Sequence, residues 1–212
     1  MLELFEHLLH HDFEWVFSHY GTAIYSVLFL IIFIETGLVF MPFLPGDSLL
    51  FAAGLFAHKG QLEITYIILL LFVAAVLGDN INYWVGRKIG LNVLKVKFKG
   101  KTIVKQEYLD KTHVFYEKYG PSAVIVARFV PIVRTFAPFV AGIAEMTYRK
   151  FLTYDILGGA LWITSITLLG YFLGGFEWIQ KNLGLVSLMI IGISVLPIVF
   201  GILKAKFAKE KV

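Results

Sequence analysis

"PSAVIVARFVPIVRTFAPFVAGIAE", residues 121–145, is apolar enough to sit in a bilayer, yet it carries Arg128 and Arg134 together with Pro121, Pro131 and Pro138. A proline inside a helix removes a backbone hydrogen bond and clashes with the preceding turn, so this run is too interrupted to cross as one regular helix. Irregular backbone at membrane depth survives only where protein or a water-filled cavity surrounds it. Each guanidinium placed near the bilayer centre costs at least about 2.5–3.5 kcal/mol unless it faces protein, water or a partner. The stretch therefore predicts a broken hairpin with acids set against it, and the rest of the chain has to supply those acids.

The remaining composition agrees with a membrane setting. Of 212 residues, 58% are hydrophobic and only 16% charged, far from the balance of a soluble domain. A hydrocarbon core of roughly 30 Å needs about 20 apolar residues per helix. Ordinary spans are expected at about 22–41, 64–88 and 183–203, and a fourth at 151–175, where Gly158–Gly159, Gly174–Gly175 and the Gly170/Gly174 spacing permit close helix packing. A second interrupted stretch, "PFLPGDSLLFAAGLFA" at 42–57, is broken by Pro42, Pro45 and Gly46, as Pro131 and Pro138 break the first. Residues 1–20 read as an amphipathic interfacial helix, with Leu2, Phe5, Leu9, Phe13, Val16 and Phe17 opposite Glu3, Glu6, His10 and Glu14. Glu3 and Glu6 stand where a cleaved signal would be basic.

Positive charge orders the pieces. Arg87, Lys88, Lys95, Lys97, Lys99, Lys101, Lys105, Lys111 and Lys118 place the connection after the second span in the cytoplasm, and the basic tail 205–212 joins them. Arg149 and Lys150 want the same side, so 121–145 must enter and leave by the cytoplasmic face, while 42–57 dips in from the outer face. The expected fold is an all-α polytopic membrane protein with one membrane domain, 21–204. It has four transmembrane helices plus two opposed re-entrant hairpins in a possible inverted repeat, and both termini are cytoplasmic. The repeat's sequence echo is "AAG" at 52–54 against "VAG" at 140–142. Segment 89–119 is read as basic and amphipathic, with an interfacial helix over 101–119.

The ionisable groups at depth are the candidates for function. Glu35 lies seven residues, about 10 Å of helix, before Pro42, and Asp47 follows the first hairpin's tip. The first half thus brings two acids and the second two bases, Arg128 and Arg134, and opposed hairpins should make them meet near the midplane. Plainer readings stand beside this one: Asp47 as the N-cap of a helix starting at Ser48, and Arg128 snorkelling to the cytoplasmic interface. Asp79, with Tyr83 and Arg87 at i+4 and i+8, suggests either a stabilising ladder or a supporting role in transport. Asp155, on one face with Gly158, Gly159 and Trp162, suggests a seat against either hairpin.

Other chemistries find less support. There is no cysteine, hence no disulfide or thiolate chemistry, and no Gly-rich phosphate loop ending in Lys-Ser/Thr. His58 and His113 fall in loops and His7, His10, His11 and His19 in or beside the leader, so no histidine accompanies the hairpins as a phosphatase would need. The i,i+4 pair His7/His11 lacks a further clear ligand, and neither a metal nor a cofactor is expected. Basic residues beside spans do not indicate nucleic acid.

The segments "ETGLVFMPFLPGDSLLFAAG", "GDNINYWVGRKIG", "YLDKTHVFYEKYG" and "ARFVPIVRTFAPFVAG" resemble the signature segments of the bacterial DedA family over roughly 20–200, closest to its DedA subgroup. The family is related to eukaryotic lipid scramblases of the endoplasmic reticulum. The resemblance implies a multi-pass inner-membrane protein that moves lipids between leaflets in dependence on the proton motive force. It also implies functional acids and arginines at Glu35, Asp47, Arg128 and Arg134. Under it, Arg128 and Arg134 would hold a phosphate headgroup and pair, when empty, with the proton-coupling Glu35 and Asp47. Undecaprenyl phosphate is the first substrate to expect and phosphatidylethanolamine or another phospholipid the alternative. A proton-coupled ion or small-solute transporter and a membrane phosphatase are rivals. The partners expected are the lipid, protons and the membrane, with a homo-oligomer left open.

Overall fold

The computed structural model describes residues 23–38, 46–93, 97–98, 101–102 and 122–182, with short pieces at 185–186 and 189. The amphipathic leader 1–20, the hairpin tip with Pro42 and Pro45, nearly all of the span 183–203 and the tail 205–212 lie outside the described residues.

Helix α1, Ile24–Gly37, has 14 residues and is about 21 Å long; it is shorter than the expected 22–41, because Leu38 is already extended at φ −111° and ψ 110°. Helix α2, Gly46–His58, is buried from Gly46 to Ala57. It ends where Gly60 takes φ +75°, with the amide of Gln61 donating to the Phe56 carbonyl at 3.1 Å and that of Gly60 to Ala57 at 3.0 Å. Only glycine adopts that left-handed cap without a steric penalty.

Helix α3, Ile64–Val93, starts beside Glu63, whose carboxylate accepts from the amides of Tyr66 at 2.7 Å and Thr65 at 3.2 Å. The Tyr66 amide holds that carboxyl below its ordinary range. The helix runs past the expected end at 88. Its tail leads to the strands β1, Lys97–Phe98, and β2, Lys101–Thr102, paired antiparallel. The expected interfacial helix over 101–119 is therefore extended, not helical, at Lys101 and Thr102, and its residues from 103 onward lie outside the described residues.

The stretch 121–145 is broken, as its prolines demand. Helix α4, Ser122–Ala127, gives way to a turn at Arg128–Val130, and α5, Pro131–Ile143, restarts with proline at its first turn. Helix α6, Tyr148–Leu173, is long, and the short α7, Glu177–Lys181, follows.

Among the described residues two helices, Ile64–Lys88 within α3 and α6, are long and apolar enough to cross a bilayer. Each turns a large-side-chain stripe outward: Leu69, Val73, Leu77, Ile81 and Trp84 on α3, and Leu157, Leu161, Leu169 and Phe172 on α6. Such stripes suit lipid rather than water. The buried side holds an apolar core built by α1, α2, α3 and α6, including Leu28, Ile32, Leu50, Phe51, Phe56, Leu71 and Ile163.

The helix pairing exchanges the two halves of the chain. Helix α2 leads into α3 but packs chiefly on α6, and α5 leads into α6 but packs chiefly on α3. A Cβ on Gly54 would overlap the Thr167 carbonyl, and one on Gly170 the Phe51 carbonyl. Likewise Gly142 lies against Tyr83 and Gly86 against Phe139. The motif F-x-x-G thus occurs at 51–54 and 139–142, each copy docked by its glycine on a long helix that answers with a glycine of its own. Both pairs run parallel: Asp47 meets Trp162 and His58 meets Gly174, while Thr135 meets Asn82 and Met146 meets Arg87.

Candidate functional site

The break at 128–131 aims two arginines at different places. Val130 is extended at φ −119° and ψ 104°, as the residue before a proline must be. The Arg134 amide then donates to the Val130 carbonyl at 2.8 Å. Pro138 has no amide to return to Arg134, so this turn of α5 lacks one helical bond. Asn82 steadies it from α3, donating to the carbonyls of Thr135 at 2.8 Å and Thr36 at 3.0 Å.

Arg134 joins elements from both halves. Its Nη1 donates to Asp47 Oδ1 at 2.5 Å and its Nη2 to Glu35 Oε1 at 2.6 Å. Trp162 Nε1 also donates to Asp47 Oδ1, at 2.8 Å, and the Trp162 ring centroid lies 4.3 Å from the guanidinium carbon, a cation–π contact. Gly46 leaves room for Glu35, since a Cβ there would overlap the carboxylate. The three charged residues are buried, with Glu35 at 1%, Asp47 at 7% and Arg134 at 4% exposure. The acids and Arg134 are thus brought together as expected, and Asp47 is not the N-cap of a helix starting at Ser48: α2 already begins at Gly46, and the carboxylate in its first turn accepts from Arg134 and Trp162.

Arg128 does not join them. Its Nη2 donates to Asp155 Oδ1 of α6 at 2.5 Å and to Asp79 Oδ2 of α3. The side chain lies on Gly158 and Gly159, where a Cβ would stand 2.9 Å from Arg128 Cδ and 3.5 Å from Cζ. The expected pairing of Arg128 with Glu35 and Asp47 is corrected accordingly: the turn after α4 faces α6, while α5 faces α3 and α1. Nor does Arg128 snorkel, being 3% exposed. The ladder Asp79–Tyr83–Arg87 forms only in its upper rung. Arg87 Nη1 donates to the Tyr83 hydroxyl at 2.8 Å and to the Met146 carbonyl at 3.1 Å, and the Tyr83 hydroxyl donates to that same carbonyl. Tyr83 stacks on Phe151 with centroids 4.4 Å apart, and Asp79 turns away to Arg128.

Among the described residues no group of three or more His, Asp or Glu is placed to hold a metal ion. Sequence reasoning placed Trp162 only on the face of Asp155 and did not single out Asn82 or Thr36. Their signal is the polar or indole group at helical spacing from an intramembrane acid, with Asn82 three residues after Asp79 and Trp162 seven after Asp155.

A VTT-domain family model matches residues 44–172. Protein DedA of Escherichia coli K12 is 46% identical over 212 residues, covering 98% of this chain and 96% of its own length. An uncharacterized membrane protein of Mycobacterium leprae is 43% identical over 178 residues, covering 84% of this chain and 79% of that protein. The inner membrane protein YqjA of E. coli K12 is 39% identical over 151 residues, covering 71% and 68% respectively. No solved structure matches. With a VTT match over more than half its length and a near full-length relative in DedA, the chain belongs to the DedA family of membrane proteins.

Proposed function

We propose that this protein is a transporter, not an enzyme, that moves a phosphate-headgroup lipid between the leaflets of the bacterial inner membrane, with undecaprenyl phosphate as first substrate and coupling to protons. The observation that carries the reading is Arg134, buried and held by Glu35 and Asp47 where α1, α2, α5 and α6 meet. A guanidinium presents a planar fork of donors that fits a phosphate as well as two carboxylates. A headgroup that takes Arg134 strips two buried acids of their partner, and a buried carboxylate without a partner is stable only when it gains a proton. Lipid binding and proton uptake are then linked, each favouring the other.

The break at Arg128–Val130 between α4 and α5 supports a re-entrant hairpin over 121–145. The four-span topology with cytoplasmic termini rests on the basic connections, and the inner membrane on the name of YqjA. Among the described residues the histidine His58 is remote from the centre: it packs against Tyr171, 5.4 Å between ring centroids, at the far end of α2.

Leaflet exchange of labelled undecaprenyl phosphate and phosphatidylethanolamine in liposomes, with and without a pH gradient, tests the reading and ranks the two lipids. Arg134→Ala is expected to insert in the membrane and to exchange lipid no faster than protein-free liposomes; exchange at the wild-type rate refutes the role. Release of phosphate from a polyprenyl pyrophosphate by the pure protein would establish the enzyme instead.

A further inference from the structure

We propose that Arg128, Asp79 and Asp155 form a second proton-binding site, in which the two carboxylates hold one proton between them. The assignment goes beyond the lipid-transport reading and does not depend on it.

The geometry is that of two acids competing for one nitrogen. Asp79 comes from α3, Asp155 from α6, and both accept from the same Nη2 of Arg128. All three are enclosed, with exposures of 1%, 0% and 3%. Asp79 Oδ1 and Asp155 Oδ2 make no hydrogen bond, and neither do Nε and Nη1 of Arg128. Were both acids ionised, the cluster would carry one uncompensated negative charge away from water, an arrangement that costs several kcal/mol. Two carboxylates sharing one site cannot both ionise cheaply, and a single proton removes the excess.

Among the described residues, the charged groups facing the pair are Arg128, from the turn after α4, and more distantly Arg134 of α5, which acts on Asp79. Arg134 is already engaged by two acids of its own, Glu35 and Asp47, and has no charge to spare for this pair. A hard metal cation is the poorer occupant. It takes about six oxygen ligands, whereas the cluster has two uncommitted carboxylate oxygens with a guanidinium beside them. A proton needs only those two. The site would give the protein a proton store separate from the one at Arg134.

Infrared spectra of the purified full-length protein in lipid nanodiscs, without added substrate lipid, read protonated carboxyl groups directly. At neutral pH the wild-type chain is expected to show a protonated-carboxyl band that loses one group's intensity in Asp79→Asn and equally in Asp155→Asn. Each single variant keeps the cluster neutral and should remain folded with the wild-type Tm, whereas Asp79→Asn combined with Asp155→Asn strands Arg128 and should lose folded protein. A band unchanged in both single variants overturns the proposal. So does a wild-type Tm that rises with sodium at fixed pH and ceases to do so in the single variants, because a metal cation would then occupy the site. Should a single variant fail to fold, the wild-type chain grown with carbon-13 aspartate still decides: the band shifts on labelling if an aspartate holds the proton, and no shift overturns the assignment. Lipid exchange is a separate measurement, so failure of this site and failure of the transport reading are distinguishable.

Discussion

Trp162 does two things for the Arg134 centre, and they can be pulled apart. Its indole N–H donates to Asp47, and its ring face receives the guanidinium. Trp162→Phe keeps a ring and deletes the donor; a hydrogen bond to a buried charged group is worth about 1.5–3 kcal/mol, so stability should fall by that order. Trp162→Ala also removes a fully buried side chain and should cost about 3–5 kcal/mol. Denaturation in detergent, read by Tm, should rank wild type above Phe above Ala; equal stability of wild type and the Phe variant would show that the indole donor contributes nothing. At this scale the acids and bases themselves were legible in the sequence, because an ionisable residue in an apolar run stands out whatever the fold. The partner of Arg128 was not. Arg128 and Arg134 are six residues apart with a helix break between them, so no single periodicity relates their directions, and only the placement of α6 reveals Asp155.

At the scale of elements, each short helix is seated on a long one by glycines that bring backbone against backbone. An added Cβ at Gly54 or Gly170 has carbonyl oxygen, not a yielding side-chain tip, in its way, and the same holds at Gly86 and Gly142. Gly54→Ala and Gly142→Ala should therefore each destabilise the protein by about 1–3 kcal/mol through overpacking, although alanine is the better helix former. Gly54 lies seven residues after Asp47 on α2, so its variant should also slow lipid exchange by displacing that carboxylate from Arg134. Thermal unfolding and the liposome assay check both effects, and an unchanged Tm at either glycine would show that the two helices separate without cost. The echo of "AAG" and "VAG" in the sequence marked these helices as counterparts, and the prolines marked where the second is broken. What the sequence did not disclose is that each counterpart docks on the other half's long helix. That choice depends on matched surfaces at Thr167–Gly170 and Tyr83–Gly86, which as residues look like any small-residue helix face.

For the whole molecule, the exchange of partners means that neither half can satisfy its own charges. A chain cut between residues 110 and 111, in the segment that separates α3 from α4, leaves Glu35, Asp47 and Asp79 in the first half with no arginine from either ionic cluster. It leaves Arg128, Arg134 and Asp155 in the second, with one guanidinium unmatched. Each stranded ion at membrane depth costs at least about 2.5–3.5 kcal/mol, comparable with a large share of a protein's total stability. The first half also leaves α2 without α6, the helix against which it chiefly packs, and the second leaves α5 without α3. Expressed alone, each half should therefore be degraded; expressed together, they should accumulate in the membrane and copurify, because the ion pairs of Arg134, the contact of Arg128 with Asp79, and the glycine contacts of α2 on α6 and of α5 on α3 all lie between them. Copurification followed by lipid exchange above the protein-free rate would show that the reassembled halves rebuild the Arg134 centre. Stable accumulation of either half by itself, with protease resistance equal to that of the intact chain, would show instead that exchanged packing is not what holds the molecule together.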